Sequence, residues 1–234
     1  MRSFRSFKTA FICLLALLQI AGCKIGGDPQ PVRQFYSFQQ SVTMTNVKKE
    51  YVVDDIIWLE ISVPDKQMTD ITTSQSIEVG NARFVPALDA FDPFVEANTS
   101  EKFELIPLLG EVVNDVDFPK EGTALLAYGC PESSYNMKVG VKFKKPGGYL
   151  LTFEKTGPSV QIFFTSDSDC SLQNLFPPPP EAAIGTVSYR LDATDTNRDK
   201  LDEYAAGFPA FSGNLEAIRT AVDDKTAFFV RVVE

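Results

Sequence analysis

Histidine is absent from all 234 residues. Its absence removes Ser-His-Asp and Cys-His nucleophile activation, imidazole general bases and His-ligated zinc together. The chain also lacks G-x-S-x-G, G-x-x-x-x-G-K-[ST] and G-x-G-x-x-G, so no nucleophile elbow or phosphate-cradling loop is written in it. Catalysis by carboxylates or by a Ser-Lys pair is left without any pattern to support it. Long apolar runs are missing too: Ala10 to Leu18 spans nine residues, against the roughly 20 that a spanning helix needs. Basic residues are in deficit, 22 Lys plus Arg against 31 Asp plus Glu, which argues against nucleic acid or an anionic membrane face as an electrostatic partner. There is a single tryptophan, Trp58, and there are four cysteines.

What is present begins with an address. Arg2, Arg5 and Lys8 precede the apolar run "AFICLLALL", the layout of a signal peptide over residues 1–22. Ile20-Ala21-Gly22-Cys23 resembles the lipobox of bacterial lipoproteins in all four positions. That resemblance implies cleavage after Gly22, diacylation of the Cys23 thiol and acylation of the new amino group. Lys24 stands where an aspartate commonly retains such proteins at the inner membrane, so the resemblance implies a lipid-anchored protein of the outer membrane, on either its periplasmic or its surface face. Residues 23–33 read as a flexible tether, because "KIGGDPQPVR" has the Gly and Pro content of a linker. Its ten residues reach at most about 33 Å.

Removing residues 1–22 leaves 212 residues with 19 basic and 31 acidic side chains, long enough for one large domain or two small ones. Cys13 leaves with the signal and Cys23 takes the lipid. Cys130 and Cys170 remain, and an even pair outside the cytoplasm reads as a disulfide. It would close a loop of about 40 residues, worth around 4 kcal/mol by chain entropy. The alternative is two separately buried thiols.

The body of the chain reads as strands. Residues 34–47 carry aromatic, Val and Thr residues without helical spacing. Ile57, Leu59, Ile61 and Val63 alternate with Trp58, Glu60 and Ser62, a period of two. Residues 76–88, 102–113 and 122–130 are further strand candidates. In residues 137–170, Val139, Val141 and Phe143 alternate with Lys138, Lys142 and Lys144, so one face is buried and one is wet. Turns at 146–148 and 157–158 predict three successive antiparallel strands. Pro146-Gly147-Gly148-Tyr149 resembles the corner of immunoglobulin-like domains, which makes Tyr149 a structural residue by that resemblance. The expected fold is mainly β: an immunoglobulin-like antiparallel β-sandwich over 34–176, then a Pro-rich spacer and a small C-terminal α/β extension over 177–234, in which two helices and a final strand pack on the sandwich. The lipobox cysteine, the tether, "YVVDDIIWL" and "KTAFFVRV" together resemble lipoproteins of Bacteroidota, which brings no activity with it.

Candidate sites are few. Asp192 to Glu203 has acids at both ends of a Ca²⁺-loop spacing, but Thr194 and Thr196 replace ligands and Asn197 replaces the turn glycine. Asp115 with Asp117, and Asp167 with Asp169, read as solvated turn acids, so no metal and no cofactor is expected. Trp58 is either sheet cover or a stacking platform. Phe91, Phe94 and Phe103 lie in a segment that does not read as one strand: either it folds over the sandwich as a lid to its core, or with Trp58 these residues make the candidate binding surface. Lys142, Lys144 and Lys145 form a small basic strip. The expectation is a non-enzymatic binding or assembly module held to the membrane by lipid, contacting an envelope protein; the alternative is a glycan-binding surface lipoprotein.

Overall fold

The computed structural model describes residues 33–95, 102–113, 122–131, 133–155, 161–166, 182–209, 211 and 213–234. The signal peptide, Cys23, Cys170, the acid pairs at 115/117 and 167/169 and the proline run lie outside the described residues. Residues Arg33–Glu234 form one compact unit. In chain order it contains β1 (Phe35–Thr45), β2 (Tyr51–Val52), β3 (Ile56–Pro64), β4 (Gln67–Thr69), β5 (Ser76–Glu78), β6 (Asn81–Arg83), β7 (Ala87–Phe91), β8 (Phe103–Leu109), β9 (Glu111–Val113), β10 (Thr123–Ala127), β11 (Ser134–Phe143), β12 (Gly147–Phe153), β13 (Gln161–Thr165), β14 (Ala183–Asp192), α1 (Arg198–Ala205), α2 (Leu215–Asp223) and β15 (Ala227–Val233).

The fold is the expected β-sandwich. One sheet runs β6-β13-β14-β1-β3-β11-β8 and the other β2-β15-β12-β7-β10-β9. The period of two in β3 sends Ile57, Leu59, Ile61 and Val63 inward, where each is at most 1% exposed. They join Phe38, Val139, Val141 and Phe143 from the large sheet and Leu88, Leu151, Phe228 and Val230 from the small one in a single core. Each such side chain contributes about 1.5–3 kcal/mol through burial. Most pairings are antiparallel; β1 with β14 and β2 with β15 are parallel.

Three expectations are corrected. The successive strands at 137–170 do not pair with one another: β11 lies between β3 and β8, β12 between β15 and β7, and β13 between β6 and β14. The chain changes sheet at each turn, because Pro146 to Gly148 form a corner between layers and not a hairpin. Residues 76–88 are no single strand but β5, β6 and the start of β7, and residues 102–113 break at Gly110, whose φ of 76 ends β8 and starts β9. The late strands are integral to both sheets. β14 sits inside the large sheet between β13 and β1, and β15 inside the small sheet between β2 and β12.

The helices form as their caps and stripes dictate. The Asn214 side chain accepts from the Ala217 amide at 3.0 Å and starts α2; Lys225, at φ 58, ends it. Both helices pack on the outer face of the small sheet, where Leu201 and Val222 meet Leu150, Ala227 and Phe229 in a second, smaller core.

Candidate binding face on the large sheet

With the helices backing the small sheet, the large sheet turns its outer face outward. On that face Thr45, Trp58, Gly140 and Ile106 form one cross-strand row through β1, β3, β11 and β8. Trp58 is half-buried, with its six-membered ring laid over Gly140. A Cβ at Gly140 would stand 2.9 Å from Trp58 Cζ3 and 2.9 Å from Ile56 Cγ2, so only glycine admits the indole at this height. Leu108 and Leu109 extend the apolar strip along β8, 58% and 48% exposed.

Ion pairs frame the row. Lys138 Nζ meets Glu60 Oε2 at 2.8 Å, Lys142 Nζ meets Asp54 Oδ1 at 2.8 Å, and Lys144 Nζ meets Glu104 Oε2 at 3.2 Å. Two lysines of the basic strip expected from the sequence, Lys142 and Lys144, are thus paired with acids on the β2–β3 turn and β8. The hydrogen bond that Lys142 donates to Asp54 holds its ammonium above its ordinary range. An apolar centre with a balanced, hydrogen-bonding rim is the composition of a recognition surface, and an indole with one face on glycine can stack a flat partner on the other.

The sheet edges make poor templates for strand addition. β6 and β9 have three residues each and β2 has two. The longer edge, β8, contains Pro107, and its register with β11 shifts between Lys138 and Val139. Short strands, proline and an irregular register all blunt an edge. The groups this sheet offers to a partner are therefore the side chains on its face.

The four aromatic candidates are not brought together. Trp58 lies on the outer face of the large sheet, whereas Phe103, at the start of β8, packs against the main core. Phe91 and Phe94 pack against the small core under the helices. The Phe94 ring centroid is 5.6 Å from Tyr204, 5.4 Å from Phe208 and 4.8 Å from Phe211. These phenylalanines therefore fix the helices and the β8 edge, so the expected aromatic surface contracts to Trp58 and its own row. Beside them Asp92 is 8% exposed; its carboxylate accepts from the Tyr204 hydroxyl at 3.0 Å and from the Phe94 amide at 3.0 Å. Burial nevertheless pushes its carboxyl above the ordinary range.

Tyr149 is fully buried, and its hydroxyl donates to the Lys145 carbonyl at 2.8 Å, closing the corner before β12. Cys130 packs partly buried against the main core, and Cys170 lies outside the described residues. The Asp192–Glu203 segment does not wrap a cation. Lys49 Nζ instead bridges Asp195 at 2.7 Å and Asp199 at 2.6 Å, and its hydrogen bonds lower both carboxyls below their ordinary range. Among the described residues no group of three His, Cys, Asp or Glu is placed to hold a metal.

Gly140 and Ile106 escaped the sequence reading. A signal for Gly140 was present, since a glycine inside the alternating "KVGVKF" marks a close approach. Ile106 had none, because its segment breaks the alternation at Pro107. Asn197 stands at the start of α1, but its side chain makes no cap: Nδ2 donates to the Lys48 carbonyl at 2.8 Å and to the Phe229 carbonyl at 3.1 Å.

No family model and no curated protein matches the chain. Among solved structures it is similar to a type II cohesin domain from the cellulosome of Acetivibrio cellulolyticus, at 12% identity over 62% of this chain and 94% of that one, with a TM-score of 0.33. It is also similar to the human F-spondin reeler domain, at 10% identity over 71% of this chain and 93% of that one, with a TM-score of 0.32.

Proposed function

We propose that this chain is a non-enzymatic binding or assembly module of the bacterial cell envelope, lipid-anchored at Cys23 to the outer membrane, that recognises an envelope protein through the Trp58 row. The observation that carries this reading is the asymmetry of the sandwich. Both described helices back the small sheet, while the large sheet presents an indole seated on glycine inside a charge-balanced rim. A disulfide between Cys130 and Cys170 belongs to the same reading, since it suits an exported domain. Alkylation of unfolded protein with and without prior reduction should differ by two thiols.

The test places a photo-crosslinking residue at Glu60, on the rim, or at Glu216, on α2, in anchored protein in cells. Glu60 should capture a discrete partner that Glu216 does not, and Leu108→Glu, at an exposed position, should abolish the capture without changing the melting temperature. Equal capture at both positions, or none, sinks the protein-binding reading. The second reading, a glycan, is favoured by the same indole, whose exposed face suits the apolar side of a pyranose. It predicts that a glycan panel changes Trp58 fluorescence, a response that Trp58→Phe removes.

A further inference from the structure

The large sheet carries a second apolar row at its other end. Phe35 of β1 registers with Ile184 of β14, Ile184 with Phe163 of β13, and Phe163 with Arg83 of β6. All four alternate with inward residues, which places them on the outer face. Phe35 is the most exposed large apolar side chain of the described residues, at 75%, and beside it Ile71, 59% exposed, donates its amide to the Ser37 carbonyl at 2.8 Å.

Charge is graded along the same axis. Residues 34–39, 71–77, 161–165 and 182–187, which build this end, contain no charged side chain, and the charges that border it are Arg33, Arg83 and the buried Asp70. The acids gather at the far end of β14 and beyond it, from Asp192 through Asp195, Asp199 and Asp202. An apolar end poor in acids on an acidic domain is the part that approaches a bilayer at the least electrostatic cost, and an arginine next to aromatic side chains suits the headgroup layer.

We propose that the Phe35–Ile184–Phe163 row, with Ile71 beside it and Arg83 at its margin, rests on the outer-membrane lipid surface. The inference depends on acylation of Cys23. From that residue to Phe35 the chain spans twelve residues, at most about 40 Å fully extended. A short tether gives the row a high effective concentration at the bilayer, so a surface too small to bind lipid by itself suffices. Trp58 registers with Thr45, ten residues along β1 from Phe35 and so about 33 Å away. The docked row would leave the Trp58 row at the far end of the same face, one strand length from the contact.

The lone tryptophan supplies the test. The full acylated chain is placed in phosphatidylcholine vesicles with and without brominated acyl chains, first as wild type and then as Phe35→Trp in a Trp58→Phe background. Brominated chains should quench the Phe35→Trp protein about twofold and leave native Trp58 nearly unchanged. If both proteins float with the vesicles and neither is quenched, or if Trp58 is the one quenched, the docked row is overturned while the anchor stands. If intact mass shows no acyl chains on Cys23 and the protein does not float, the anchored reading falls and the docked row with it.

Discussion

Two glycines and a tyrosine set most of the local geometry. Gly148 sits beneath the Tyr204 ring of α1, where an added Cβ would stand 2.3 Å from Cε1. Gly140 does the same beneath Trp58. These two substitutions should separate folding from recognition. Gly148→Ala lifts α1 from the small sheet and should cost about 1–3 kcal/mol, read as a lower urea midpoint. Gly140→Ala tilts the indole, so its main effect should fall on whatever Trp58 recognises, with a blue or red shift of its fluorescence as the direct readout. Tyr149→Phe isolates one hydrogen bond: the corner keeps its packing, the Lys145 carbonyl loses its donor, and stability should fall by about 1–2 kcal/mol in urea unfolding.

At the scale of elements, α1 is held from its start. Asn197 is completely buried at φ 57 and ties the loop before β2 to β15 through two carbonyls. Asn197→Gly tolerates that conformation and removes only the side chain, so it should destabilise by about 1–3 kcal/mol and raise amide exchange throughout α1. The Lys49 bridge outside it is solvent-facing and weaker. Because Asp195 and Asp199 titrate below their ordinary range in the fold, the support they give is intact above the unfolded carboxyl value, near 4, and is lost as pH falls through the lowered folded values. Exchange at α1 should therefore accelerate on acidification below about pH 4, and Lys49→Met should remove that dependence. Asp92 carries the opposite sign. Burial favours its neutral form, so Asp92→Asn should cost little at neutral pH while keeping a partner for Tyr204. Much at this scale was legible in the sequence. The alternation in β3, the stripe of Leu215, Ile218 and Val222 in α2 and the Tyr149 corner are local patterns, and each forms where its residues direct. The corner's consequence was not legible, since Pro-Gly-Gly serves a hairpin and a change of sheet equally well.

For the whole molecule, the decisive pairings join distant parts of the chain. β1 with β14 links Phe35 to Ile184 in parallel, and β15 enters the small sheet beside β2 and β12. No period or turn residue encodes such partners, because each strand buries equally well beside several neighbours. The candidate site was hidden for the same reason: Trp58 and Ile106 become neighbours of Gly140 only through the register of three strands. A chain ended after residue 182 lacks the strands that complete both sheets. It should show no cooperative unfolding transition, whereas the full chain should unfold in one step by circular dichroism and fluorescence alike.

The position of β15 also sets a schedule. Its seven residues follow every other described strand in the chain, yet the small sheet is divided between β2 and β12 until they pair. Closure by such nonlocal pairing is slow and falls late. A chain made in this order keeps its small sheet open until β15 has paired, so the two halves of that sheet act as one body only at the last step of folding.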